Sequence, residues 1–304
     1  MAVRDAAVLG CAYLTAARST GPLAPVSGGL LMAERTAAPS GGDATGQDVL
    51  LATKLYVPRR PAGLVARPRL AEALADGRAG ALVLVSAPAG FGKTALLADW
   101  FRGEGRPAGW LSLDAGDNDP ARFWRHAAAA LDPVCPGISA RVGPMLGPPP
   151  PATFEGPVTA LINELAGAPG DDEVLLVLDD YHVIEAGAVH ASVGFLLEHQ
   201  PTGLRLVLAS RSDPPLPLAR LRAWGQLTEL RAADLRFTVD EAAAALLRRA
   251  AGAELPGGSV EALAERTEGW AVGLQLVGLS LRGIAMRLVS WRRSAAATVT
   301  SWTI

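Results

Sequence analysis

LVLVSAPAGFGKT, Leu82 to Thr94, is the stretch whose reading decides the fold. Its opening residues are apolar and uninterrupted, the texture of a short parallel strand buried on both faces. Ala87, Pro88, Ala89, Gly90, Phe91 and Gly92 then form a turn of mostly small residues, in which backbone N–H groups can curl around phosphate oxygens. Lys93 would reach the β and γ phosphates, and the Thr94 hydroxyl would ligate Mg²⁺. A helix expected from Lys93 to Phe101 aims the positive end of its dipole, with the Ala95 amide in its first turn, at the same anion. The stretch reads as a P-loop, with Ala87 where the pattern G-x-x-x-x-G-K-[ST] usually has its first glycine. An ordinary Gly-rich turn between strand and helix is the alternative. Lys54 and Lys93 are the chain's two lysines, the rest of its 28 basic residues being arginine, so composition alone does not put a lysine here.

At 304 residues the chain has room for two domains and a sizeable core. It is 50% hydrophobic and 19% charged with a net charge of −2, so no overall basic field recommends it for nucleic acid. Cys11 and Cys135 have no CxxC or Cys/His spacing, which argues against zinc and a disulfide framework and suits a reducing cytoplasm. Residues 1–47 lack amphipathic periodicity, are rich in Ala, Gly, Ser, Thr and Pro, and read as a disordered extension. Ala6 to Ala17 faintly resembles a signal peptide, but the apolar run is short and Asp5 interrupts its basic start. Met32 offers an alternative start. No run approaches the roughly 18 apolar residues of a membrane span.

A P-loop domain is expected over residues 48–232. It opens with an extended lead, LLATKLYVPRRPAGLVARPRLAEALADG, that ends in a helix from about Pro68 to Asp76. Leu64, Val65 and Arg67 could cover an adenine ring, or the lead could serve only to cover the sheet. GWLSLD, Gly109 to Asp114, is a second strand. In DAGDNDP, Asp114 to Pro120, Asp119 is placed to cap the next helix with Pro120 at its first position. Phe123, Trp124, Ala127, Ala128 and Leu131 give that helix an apolar face. The acids of the turn read as an N-cap cluster in preference to a metal loop. The Pro- and Gly-rich residues 132–157 read as a loop, before a helix from Val158 to Ala166.

VLLVLDD, Val174 to Asp180, is the second decisive motif: a buried strand with Asp179 and Asp180 at its carboxyl edge, where a parallel sheet binds ligands. Asp179 would hold Mg²⁺ through water, and Asp180 would polarise an attacking water. LRLVLAS, Leu204 to Ser210, is a fourth strand with Arg211 just past its end. In ATPases with an extra strand between the two Walker strands that position faces the γ-phosphate, where an arginine tells ATP from ADP. Alternatively, Arg211 fixes the loop SRSDPPLPLARLR. Leu227 to Leu230 is the candidate fifth strand of an α/β sheet flanked by helices.

Residues 233–283 turn helical and read as a small lid. Thr238 and Glu241 form a capping box for a helix from Val239 to Ala250, and Ser259 is placed to cap a second. GWAVGLQLVGLSLR, Gly269 to Arg282, is a third, apolar nearly all round and so expected to be buried.

LLATKLYVPR, SAPAGFGKT, LDAGDNDPARFW, LVLDDYH, LASRSDPPLPLARLRA, LTELRAADLRFT and RTEGWAVGLQL follow one another in this order. In that order they resemble the MalT-like branch of the LuxR-type transcriptional regulators, which are STAND-type, AAA-like P-loop ATPases. The resemblance runs from Leu50 to Gly283. It implies a nucleotide-binding domain and helical lid, followed by winged-helix, helical-repeat and helix-turn-helix DNA-binding domains. Carried over, Lys93 and Thr94 take the Walker A roles, Asp179 and Asp180 the Walker B roles, and Arg211 the sensor role. The lid motif at Gly269 to Leu274 lacks the proline that related ATPases often carry, which leaves adenine contact by the lid unsupported. The chain stops before every module that would sense an inducer or bind DNA. Its tail, residues 284–304, is short of acids and extends no helix. Read with GC-leaning codons from the last base of the Gly283 codon, the same bases allow a peptide beginning His-Ser-Asp-Ala-Ala-Gly-Phe-Val, which resembles the family at this point. A single-base shift that truncated a longer regulator is the expectation.

Two functions are in view. One is a cytoplasmic switch that takes ATP or ADP with Mg²⁺, in which ATP sets a self-associating state and slow hydrolysis resets it. The other is a stand-alone P-loop ATPase or kinase with metabolic or mechanical turnover. A kinase needs an acceptor site with its own base, and no His or Asp stands near the P-loop in sequence. A mechanical ATPase usually has a glutamate where Asp180 stands. The switch is therefore preferred. Arg282, Arg287, Arg292 and Arg293 come without a recognition helix, so neither specific DNA binding nor membrane attachment is expected of this chain.

Overall fold

Five apolar segments pair edge to edge: β1 (Leu82–Ser86), β2 (Ala108–Ser112), β3 (Val174–Asp179), β4 (Leu204–Ser210) and β5 (Leu227–Arg231). The sheet order is β2-β3-β4-β1-β5 and every pair is parallel. Leu206 of β4 pairs with both Leu82 and Leu176, so β4 lies between the P-loop strand and the aspartate strand. In this computed structural model the described residues are 50–76, 80–105, 107–167, 173–250 and 258–282. The expectations for residues 1–47 and 284–304 lie outside them.

Alternation along each strand divides the core in two. Leu82, Leu84, Leu111, Leu176, Leu178 and Leu208 face one layer of helices. That layer comprises α3 (Pro120–Leu131), α4 (Ile138–Val142), α5 (Glu155–Ala166), α6 (Gly187–Glu198) and α7 (Leu218–Ala223). Val83, Val85, Trp110, Val177 and Val207 face the other, α1 (Pro68–Asp76) and α2 (Lys93–Glu104). Each fully buried aliphatic side chain contributes about 1.5–3 kcal/mol. α3 starts as its sequence predicts: the Asp119 side chain accepts from the Arg122 N–H at 2.7 Å, and Pro120 is the first helical residue.

The stretch expected to be a loop, 132–157, holds α4, a 3₁₀ turn at Gly143–Leu146 and the first turn of α5. Ile138, Val142 and Leu146 are spaced by four and buried together, and this tertiary burial outweighs the local abundance of Pro and Gly. α6 has no counterpart in the sequence reading. Its first turn has no side-chain cap and its sequence is small and apolar, yet two adjacent parallel strands require a crossover between them.

The C-terminal helices are α8 (Val239–Ala250), α9 (Ser259–Arg266) and α10, residues 271–282. They gather around a small core of their own, with Ala242, Leu246, Ala264 and Leu274 buried. The capping box forms: Glu241 N–H donates to Thr238 Oγ1 at 3.2 Å and Thr238 N–H to Glu241 Oε2 at 3.1 Å. Two expectations are corrected. Gly258 in a left-handed conformation, not Ser259, occupies the N-cap of α9. α10 is not buried all round, since Leu276 and Leu279 are 56% and 46% exposed; the small three-helix core takes in only one of its faces. No helix among the described residues is long and apolar enough to cross a membrane.

Candidate functional site

The turn after β1 is held to β4 by the Ala87 N–H, which donates to Ser210 O at 3.2 Å. Ala87 is buried and its backbone is not left-handed, so the position where a glycine is usual does not need one. Gly90 and Gly92 have φ of 82° and 80°. Gly92 is the N-cap of α2 and no side chain caps that helix, which leaves its first N–H groups to an incoming anion. Lys93 Nζ donates to the carbonyls of Ala87 at 2.7 Å and Pro88 at 3.1 Å. Burial lowers the affinity of this amine for its proton, while the Asp180 charge opposes that shift.

The P-loop and β3 meet where Thr94 Oγ1 donates to Asp179 Oδ1 at 3.0 Å. Asp179 is 3% exposed. Burial, followed by the neighbouring Asp180 charge, pushes its pKa up to about 6. No cluster of three acidic, His or Cys residues suited to a metal occurs among the described residues. Mg²⁺ needs no such cluster, because it keeps waters and phosphate oxygens and takes one or two protein ligands. Thr94 and Asp179 fit that requirement.

Asp180 adopts φ 58°, an uncommon left-handed conformation for a residue other than glycine, and its half-exposed carboxylate turns toward the cavity. His182 Nδ1 lies 3.7 Å from Asp180 Oδ1. Burial, then the Arg211 charge, lowers its pKa and favours the neutral imidazole. The sequence reading did not single out His182, although its place directly after LDDY was the available signal. Arg211 stands exposed at the end of β4 on the cavity wall and makes no ion pair among the described residues. The loop that carries it is tied down by Asp213, which accepts from Ser86 Oγ at 3.1 Å and Arg231 Nη2 at 3.0 Å.

Beside these groups lies a cavity of ≈ 770 Å³, within the range of about 300–1,000 Å³ usual for small-molecule sites. Lys93, Thr94, Asp180 and Arg211 lie on its walls, as do Leu64 and Val65 from the lead. Arg67 also borders it, but its guanidinium is engaged elsewhere. It pairs with Glu241 at 3.2 Å, donates to Leu235 O at 3.0 Å and Arg236 O at 2.8 Å, and stacks over Phe237 at 4.5 Å. Its charged end therefore staples the lead to α8. The lid reaches the cavity without the proline of related motifs: Ala271, Val272 and Gln275 line it, and the Val272 N–H donates to Gly90 O at 3.2 Å.

The acids of DAGDNDP divide their work. Asp119 caps α3, and Asp114 caps the 3₁₀ turn at Ala115–Asn118. Asp117, fully buried, accepts from Lys54 and from the Asp114 N–H at 2.8 Å, and lies 2.7 Å from His126 Nδ1. Asn118 bridges to the segment after Asp180, taking the N–H groups of Glu185 and Ala186 at 2.7 and 2.9 Å and donating to Val183 O at 2.9 Å.

Comparison with known proteins follows the same residues. The chain is 39% identical over 236 residues to the serine/threonine-protein kinase PknK of Mycobacterium tuberculosis (strain H37Rv), covering 76% of this chain and 21% of that protein. It is 37% identical over 234 residues to the HTH-type transcriptional regulator MalT of Serratia proteamaculans, covering 77% of this chain and 25% of that protein. For the MalT of Cronobacter sakazakii the corresponding figures are 37%, 77% and 26%. This chain thus spans 21–26% of the length of these curated relatives. No family model matches it. Among solved structures, the Walker-type ATPase of Pyrococcus abyssi aligns with a TM-score of 0.43 at 12% identity, covering 78% of this chain and 74% of that one. RuvB of Thermotoga maritima aligns with a TM-score of 0.42 at 16% identity, covering 75% and 67%.

Proposed function

We propose, starting from a chain that carries the P-loop ATPase module of the MalT-like regulators, that it is a nucleotide-operated switch taking ATP or ADP with Mg²⁺. The observation that carries this reading is the 3.0 Å contact of Thr94 with Asp179, which brings the P-loop hydroxyl onto a buried carboxylate. Backbone N–H groups from Ala89 to Ala95 would receive the phosphates, and Lys93 would exchange two carbonyls for the β and γ oxygens. Thr94 and Asp179 would hold Mg²⁺, which supplies charge neutralisation to the phosphates. Asp180, beside His182, would orient and polarise a water, and Arg211 on the cavity wall would meet a γ-phosphate.

Two relatives named for different activities each match about three quarters of this chain, so their matched stretches overlap. A switch module suits both. ATP-dependent self-association with a second copy is part of the proposal; specific DNA binding by this chain is not. Titration with labelled ADP and ATP, with and without Mg²⁺, tests the site. Lys93→Ala should abolish binding, and equal affinity in that variant would overturn the assignment. Phosphate release that stays slow and indifferent to added small-molecule acceptors supports the switch, whereas acceleration by an acceptor supports a kinase.

A further inference from the structure

Gly90 is where the lid meets the P-loop. Its backbone is left-handed, and a Cβ on it would lie 2.8–3.1 Å from the indole of Trp270, so neither conformation nor space admits a side chain. Beside that contact, the Val272 N–H donates to the Gly90 carbonyl at 3.2 Å. The segment that delivers both is braced from behind. Phe237 N–H donates to Gly269 O at 2.8 Å, and a Cβ on the left-handed Gly269 would sit 2.6 Å from Phe237 O. Phe237 in turn lies under the Arg67 guanidinium. The lid segment is therefore fixed on both sides, with its free end resting on one peptide of the P-loop.

That peptide joins Gly90 to Phe91. A trans peptide is planar, with its C=O and N–H pointing in opposite directions. Holding the Gly90 carbonyl on α10 therefore directs the Phe91 N–H away from the lid. Among the described residues no backbone carbonyl accepts from that N–H. We propose that Trp270, with the Val272 amide, is a positioning element for the P-loop, orienting the Phe91 N–H for the diphosphate group of a nucleoside di- or triphosphate. This rests on the nucleotide reading of the cavity, and its test separates the two.

The full chain and its Trp270→Ala and Trp270→Phe variants are titrated with Mg²⁺-ADP and with AMP. Trp270 is 38% exposed, so its loss should leave the unfolding midpoint close to that of the parent. Trp270→Ala should weaken ADP about tenfold, the effect of misplacing one charge-assisted hydrogen bond. AMP binding should stay unchanged, and Trp270→Phe should recover most of the loss. If ADP and AMP weaken together, Trp270 only shapes the cavity and the proposal fails; it fails equally if neither changes. A parent that binds no ADP, or keeps its affinity after Lys93→Ala, overturns the nucleotide reading and this inference with it.

Discussion

Lys54 and Lys93 are the chain's two lysines and are buried alike, 6% and 7% exposed, but their ammonium groups end in opposite surroundings. Lys54 ends on carboxylates, Asp117 and, at 3.1 Å, Asp114. Lys93 ends on two peptide carbonyls. The aspartates repeat the contrast at the ends of neighbouring strands. Burial of Asp117 would raise its pKa, but hydrogen bonds from His126 and Lys54 hold it below the usual range. Asp179 has a threonine hydroxyl, one amide and the Lys93 charge in its favour, yet burial and then the repulsion of Asp180 push it up to about 6. A buried charge that meets its counter-charge within the chain contributes to architecture. One whose hydrogen bonds go only to neutral groups is open to something that arrives.

The contrast is open to attack from both sides. Lys54→Met should cost most, about 3–5 kcal/mol of unfolding free energy, because Asp117 loses its buried cation. A loss below about 1 kcal/mol in denaturant titration would remove the distinction, since exposed pairs are worth that much. Lys93→Met should leave stability near that of the parent while nucleotide affinity falls at least about a hundredfold, some 3 kcal/mol.

Asp179→Asn should act in the opposite sense on the fold. The folded pKa of about 6 lies above the usual carboxylate value, so between about pH 4 and 6 the folded state binds the extra proton and stability falls as pH rises. The penalty is complete above pH 6, and the asparagine variant, which never ionises, should be more stable than the parent at pH 7 by on the order of 2 kcal/mol. Near pH 4 the two should converge, and the variant's nucleotide binding should lose its response to Mg²⁺. A gap that widens toward low pH would contradict this. The smallest effect is expected of Arg67→Ala, about 1 kcal/mol in thermal unfolding, because Arg69 also pairs with Glu241 at 3.0 Å.

What could be read from the sequence was what is local. The strands, the Asp119–Pro120 start of α3 and the Thr238–Glu241 box each depend on residues within a few positions of one another. So does the run from Gly90 to Thr94, which places Lys93 and Thr94 without reference to the rest of the chain. What escaped is non-local. Lys54 finds Asp117 across 63 residues, and Arg67 finds Glu241 across 174. Seen alone, the first is a surface lysine and the second a candidate base contact. α6 escaped for another reason: a helix that begins Gly-Ala-Val without a side-chain cap shows its identity only through the crossover it makes.

The sheet order carries a consequence for how the protein comes into being. β1 is synthesised first of the five strands, yet its two neighbours are β4 and β5, and Leu82 must wait for Leu206 and Leu227. Until then the only adjacent pair the nascent chain can form is β2 with β3. Contacts this distant in sequence form late, and domains complete as units during synthesis. The Gly-rich turn after β1 is therefore among the last features to take shape although its residues emerge early. On a ribosome stalled before Leu204, the glycine loop would exist as sequence without a strand on either side to hold it, and both neighbours of β1 would be present only once Arg231 has left the exit tunnel.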